Sequence, residues 1–138
     1  MHIPNVNYLA VLVTGILIFM LGGLWYSPAL FAKKWISLMG KSDEDLKAAS
    51  RSMPLNYAAV FVCALLTAFT LAIILNHFTE LSVLRGAAVG AVCWLGFAGA
   101  TSFGTSLFSM QPKTLWLINS GYNLASFVID GILLAVWR

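Results

Sequence analysis

The sequence predicts an all-α integral membrane protein, a four-helix bundle with a short amphipathic interfacial helix in its first loop. Three observations carry that prediction. Charged residues are 9% of the 138, hydrophobic residues are 60%, and the charges are gathered so that four long stretches hold none. A soluble domain has about 25% charged and about 45 to 50% apolar residues, so that class is excluded. A net charge of +3 and two Cys set in apolar runs argue equally against disorder, nucleic-acid binding and a disulfide scaffold.

The charge-free stretches run from Met1 to Ala32, Ser52 to Thr79, Gly86 to Pro112, and between Lys113 and Asp130. A helix needs about 20 apolar residues to cross roughly 30 Å of hydrocarbon. The predicted spans are therefore Val6 to Ser27, Pro54 to Phe78, Ser82 to Phe108 and Pro112 to Trp137, in one domain over residues 1–138. The runs are continuously apolar rather than alternating, which excludes a β-barrel.

The first span lacks a basic n-region, so it is expected to be an uncleaved anchor rather than a signal peptide, although Ser27-Pro28-Ala29 offers small residues for cleavage. The loop over residues 28–53 holds Lys33, Lys34, Lys41, Lys47 and Arg51 with Asp43, Glu44 and Asp45. With four spans, that loop shares a side with Lys113, and the opposite side has Arg85 and Arg138 alone among Lys and Arg. The positive-inside rule makes the richer side cytoplasmic and puts both termini outside.

Within the loop, Ser27 and Pro28 read as an N-cap and first-turn proline. Phe31, Trp35, Leu38 and Met39 follow at helical spacing, and Gly40 is placed to end that helix. Trp35 and Phe31 on one side, with Lys33, Lys34 and Lys41 for lipid phosphates, suit the interface plane. Ser42 opens a second short helix, with Asp43, Glu44 and Asp45 in a first turn whose dipole favours negative charge. Pro54 and Pro112 start spans two and four, but the two halves do not otherwise match, so an inverted repeat is not supported.

The third span carries Gly86, Gly90, Gly96, Gly99 and Gly104 with Ala87, Ala91 and Ala100. Small residues four apart let helices approach closely, within the monomer or across a homo-oligomer seam. In span one Tyr8, Gly15, Phe19, Gly22 and Tyr26 form a comparable stripe; span two adds Asn56, Cys63, Thr67 and Thr70.

The fourth span is the most informative. At about 100° per residue, Asn119, Asn123, Ser126 and Asp130 fall within about 60°, while Leu117, Gly121, Leu124, Val128, Ile132 and Ala135 take the other side. Lipid cannot satisfy the polar groups, so they must face the interior, another subunit or a cavity. Asn56, Asn119 and Asn123 are expected to meet near Tyr26. Asp130 has two readings: a structural ion pair with Arg85, which is favoured, and a protonatable or ion-binding site.

His2, His77, Glu80 and Asp130 make no ligand-spaced motif, so no metal is expected, and Cys63 and Cys93 read as small packing residues. No nucleophile with base, no paired catalytic acids and no phosphate-binding loop is present, so neither an enzyme nor a cofactor is expected. The function expected is binding or passing a small solute or ion along the fourth-span stripe. The alternative is a structural or accessory membrane subunit assembled through the third span. The bilayer and a homo-oligomer are the expected partners.

Two blocks resemble a known family. Gly22-Gly23-Leu24-Trp25-Tyr26-Ser27-Pro28-Ala29-Leu30-Phe31 with Lys34-Trp35, and Leu115-Trp116-Leu117-Ile118-Asn119-Ser120-Gly121-Tyr122 after Pro112, are similar to domain-of-unknown-function family 1761, small bacterial membrane proteins. The glycine-rich third span fits as well. The resemblance covers almost the whole chain and implies four spans in the inner membrane. It implies no substrate, cofactor or catalytic residue, because the family has no assigned activity.

Overall fold

A computed structural model describes residues 4–138. His2 lies outside the described residues. Every regular element among them is helical: α1 Tyr8–Trp25, α2 Ala32–Met39, α3 Asp43–Ser50, α4 Met53–Leu75, α5 Val83–Cys93, a π-helical segment Trp94–Gly99, α6 Ala100–Phe108 and α7 Lys113–Val136. With α5, the π segment and α6 running on as one helix, four helices are long and apolar enough to cross a membrane. Their bounds match the four predicted spans to within a few residues.

Local chemistry sets most of the ends. Asn7 caps α1 by accepting from the Ala10 amide at 3.1 Å, and α1 stops at Trp25, three residues before Pro28. The predicted helix start at Ser27 is corrected. Residues 27–31 form turns, the Ser27 hydroxyl donates back to the Leu24 carbonyl at 2.6 Å instead of capping forward, and α2 begins at Ala32. That backward bond turns the hydroxyl towards α1, away from the amides a cap would have to serve. Gly40 ends α2 in the left-handed region, φ 63°, as its position implied. Ser42 and Asp45 form a reciprocal capping box at the start of α3. Ser82 caps α5 through the Arg85 amide at 3.2 Å.

Helix α7 is the centre of the molecule: α1, α2, α4, α5, the π segment and α6 all pack on it. The tightest crossing is α5 on α7, and the glycines explain it. A Cβ added at Gly86 would overlap the Gly131 carbonyl, one at Gly90 the Phe127 carbonyl, and one at Gly131 the Gly86 carbonyl. Backbone meets backbone there, which gives van der Waals attraction where no hydrophobic effect operates between helices. On α1, Gly15 and Gly22 instead make room for side chains, Leu65 and Tyr122 respectively. Gly96 and Gly104 do not pack within the chain, since an added Cβ there would meet nothing within 4 Å. The helix has diverged from α7 by that point, since α5 and not α6 makes the close crossing.

One apolar cluster lies at the end of the molecule where α1 begins: Val6, Ala10 and Val11 against Ala68, Leu71 and Leu75 of α4, with Leu134 of α7. Small residues at Ala10 and Ala68, both wholly buried, bring α1 and α4 together. That closed end lies beyond Asp130; the opposite end, around Asn119, is more open.

Candidate functional site

Two blocks far apart in sequence meet at the end of α1. The Trp25 indole N–H donates to the Ile118 carbonyl at 2.9 Å, and the Tyr26 hydroxyl donates to Asn119 Oδ1 at 2.7 Å. The Tyr122 hydroxyl donates to the Ile18 carbonyl at 3.1 Å, one level deeper. The rings of Trp25, Tyr26 and Tyr122 stand at centroid distances of 5.7 and 6.4 Å from tyrosine to tyrosine and from Trp25 to Tyr122 respectively. Trp35 of α2 adds a face against Tyr26 at 5.1 Å. The helix break at residues 26–31 therefore folds α2 back over the end of α7.

From this aromatic group two cavities run along α7. The larger, about 370 Å³, lies between α6 and α7 and is lined by Ser102, Thr105, Ser109, Gln111, Asn119 and Asn123. Its lining is almost wholly hydroxyl and amide with Trp116, whose indole N–H donates to the Ser102 hydroxyl at 3.1 Å. The Ser120 hydroxyl, also on this cavity, is buried without a hydrogen-bond partner. The smaller cavity, about 170 Å³, lies between α1, α4 and α7 and is lined by Ile18, Cys63, Thr67, Asn123, Ser126 and Asp130. Asn123 belongs to both.

Asp130 is 0% exposed, and among the described residues neither carboxylate oxygen has a hydrogen-bond partner. Thr14 on α1 is in the same condition, 1% exposed with its hydroxyl unpartnered. The antiparallel register fixed by Tyr26 with Asn119 and Ile18 with Tyr122 puts Thr14 at the level of Asp130.

The expected pair of Asp130 with Arg85 does not form. The Arg85 guanidinium instead donates to Glu80, to its carbonyl at 3.0 Å and its carboxylate at 3.3 Å, with the Arg85 side chain 59% exposed. The reason is geometric. Helix α5 meets α7 through Gly86 and Gly131, whereas Asp130 points to the cavity on the α1 and α4 side. Asn56 is also displaced from expectation: it is exposed near the start of α4, away from Tyr26, Asn119 and Asn123. Cys63 is exposed rather than packed, and Cys93 is buried. His77 is exposed, its ring Nδ1 at 2.8 Å from the Ile73 carbonyl. No group of three His, Cys, Asp or Glu converges among the described residues.

Sequence reasoning missed Thr14, Ser120 and the hydroxyl face of α6. Thr101 and Ser102 fall between Gly99 and Gly104, Thr105 and Ser106 follow directly, and that spacing is the available signal. It also missed the glycine partner on α7, Gly131.

The sequence matches, over residues 9–135, the family described as "Protein of unknown function (DUF1761)". The chain belongs to that family. No curated protein and no solved structure matches the chain. Membership of DUF1761 assigns no activity, so function has to be argued from the site. The two blocks by which the sequence resembled the family are the two that Trp25 and Tyr26 join to Ile118 and Asn119.

Proposed function

We propose that the protein is a four-helix membrane bundle that binds a small solute or ion on the polar face of α7 and gives it a path along that helix. The observation that carries the reading is the double role of Asn123. A hydroxyl- and amide-lined cavity open near Ser109 and Gln111 reaches Asn123, and a second cavity leads from Asn123 to Asp130. Polar side chains in a membrane helix are costly unless they face such a space, and an ionised carboxylate left unpaired there costs several kcal/mol. A purely structural stripe has no use for a buried carboxylate whose expected partner, Arg85, is engaged with Glu80.

The positive-inside distribution supports a cytoplasmic side for the loop over residues 28–53 and for Ser109, with both termini outside. The apolar side of α2 then lies at the interface, with Trp35 on Tyr26 and Lys33 and Lys34 exposed to headgroups. No group is assigned a catalytic role.

The test is cysteine accessibility in a variant lacking Cys63 and Cys93. Asn119→Cys and Asn123→Cys should react with a membrane-impermeant thiol reagent in inside-out vesicles several times faster than Leu117→Cys. Equal, slow labelling at all three positions would remove the path.

A second reading rests on a different observation. Gly96 and Gly104 have open space beside them, and Ala100 between them is exposed. A small-residue face without a neighbour in the same chain suits a second copy. In this reading the protein is a homo-oligomeric structural or accessory subunit, and oxidative cross-linking of Gly96→Cys in membranes tests it.

A further inference from the structure

The smaller cavity has a chemical bias that its lining residues alone do not reveal. Three hydroxyls border it, from Thr67, Tyr122 and Ser126, and each has already given its proton to a backbone carbonyl: Thr67 to Cys63 at 3.0 Å, Tyr122 to Ile18 at 3.1 Å and Ser126 to Tyr122 at 2.8 Å. What they turn to other neighbours is lone pairs. The Asp130 carboxylate adds two further oxygens, both buried and unpartnered. Only the Asn123 amide and the Cys63 thiol remain as donors in the lining. Apolar side chains make up most of this lining, its few polar atoms are mainly acceptors, and the Asp130 carboxylate lies buried against it; what these oxygens lack is a positive guest.

Among the described residues no side chain supplies one. Of the elements packed around Asp130, α1 brings no ionisable group at this level, and α4 brings only the Cys63 thiol. Helix α5 has Cys93 in the neighbouring apolar cleft and Arg85 turned to Glu80, and α7 itself adds Tyr122. A single carboxylate balances a single positive charge; a divalent ion would leave an excess of one in an apolar surround. Hard oxygen ligands select a hard cation, and about 170 Å³ is room for such an ion with several of its waters.

We infer that this cavity is a binding site for a small monovalent cation of the size of Na⁺, with Asp130 as its anionic ligand and the hydroxyl oxygens of Thr67 and Ser126 completing the oxygen shell. The inference deepens the proposed function and rests on it for the route by which the ion arrives through Asn123.

The experiment uses the full chain in lipid nanodiscs and ²²Na⁺ as the probe, read by equilibrium binding. Saturable binding is expected, with about one ion per chain, competed by Li⁺ better than by large organic cations. Asp130→Asn should abolish it, and Thr67→Val and Ser126→Ala should each weaken it about tenfold or more while the protein still folds. Folding is checked by helicity and monodispersity; Thr67→Val alone suffices if Asp130→Asn fails to assemble. Absence of saturable Na⁺ binding by folded wild-type protein overturns the inference. So does an infrared carboxyl signal that responds to pH and disappears in Asp130→Asn but is indifferent to Na⁺, since the site then takes a proton alone. The proposed route fails separately: if Na⁺ binds but Asn119→Cys and Asn123→Cys stay unlabelled, the site stands and the path does not.

Discussion

Substituting Gly86 by alanine tests the α5 and α7 crossing, and the structure gives the size of the effect. The added methyl would fall inside van der Waals distance of the Gly131 carbonyl oxygen and at 2.6 Å from the Ala135 Cβ. Ordinary contact begins near 3.4 Å, so the two helices have to separate by roughly 1 Å along the line between them. Neither obstacle is the loose end of a flexible side chain, because one is backbone and the other a Cβ. Overpacking of this kind costs about 1 to 3 kcal/mol, and separating the helices also loosens the matched contact of Gly90 with Phe127. The better helix propensity of alanine returns about 1 kcal/mol at most. A net loss of about 1 to 2 kcal/mol is expected, five- to thirtyfold in the folding equilibrium at about 1.4 kcal/mol per decade. Reversible unfolding in mixed micelles or steric trapping in bicelles measures it. Gly104→Ala, where an added methyl meets nothing within 4 Å, is the matched control and should be neutral or slightly stabilising. Equal stability of the two variants would show that the crossing is not held by backbone contact, and the account of the glycines would fail.

The remaining expectations concern the interhelical hydrogen bond, the exposed ion pair and the topology. Tyr26→Phe removes a 2.7 Å hydrogen bond to Asn119, and a double-mutant cycle with Asn119→Ala should return a coupling of about 0.5 to 1.5 kcal/mol; a coupling near zero would show that the two side chains act independently. Arg85→Gln should change stability by no more than about 1 kcal/mol, because the pair with Glu80 is exposed on both sides. It should also fail to rescue Asp130→Asn, and rescue would restore the ion pair that the geometry denies. Ser42→Cys should be unreactive to an impermeant reagent in intact cells and reactive in inside-out vesicles; labelling from outside would invert the topology.

Much of the fold was legible because the physics that sets it is local or compositional. Span positions follow from the charge-free runs, the stop at Gly40 from its tolerance of positive φ, and the α3 start from the reciprocal Ser42 and Asp45 bonds. The π segment at Trp94–Gly99 was not legible. Its glycines were read as packing residues, and nothing in the sequence distinguishes a glycine that meets a neighbour, such as Gly90, from one beside open space, such as Gly96. The polar stripe on α7 was correctly placed on one helix face, but its partners were not. Pairing Asp130 with Arg85 used charge and membrane level, which a sequence provides. It left out azimuth, which depends on the side of α7 that α5 occupies, and that was set by Gly131, a residue not then seen as the partner of Gly86. The donor-depleted character of the cavity was out of reach for the same reason: Thr67 and Ser126 are ordinary helix hydroxyls until α4 and α7 bring their free lone pairs to one space.

The two sides of α7 now explain each other. On the α5 side, glycine at residues 86, 90 and 131 removes side chains altogether, so the helices close without leaving a space for any guest. On the α1 and α4 side, Tyr122 does the opposite: its ring stands between the helices, and its hydroxyl reaches the Ile18 carbonyl across them. A spacer at that level keeps α1 from collapsing onto Asn123 and Ser126, and the cavity persists below it as far as Asp130. The closed apolar end at Leu71, Leu75 and Leu134 then seals the side beyond the carboxylate. The result is a cleft beside α7, walled beyond Asp130 by leucines and bordered on its α4 side by the exposed Val60 and Cys63. On the reading proposed above, passage across a membrane requires α1 or α4 to move at that leucine wall.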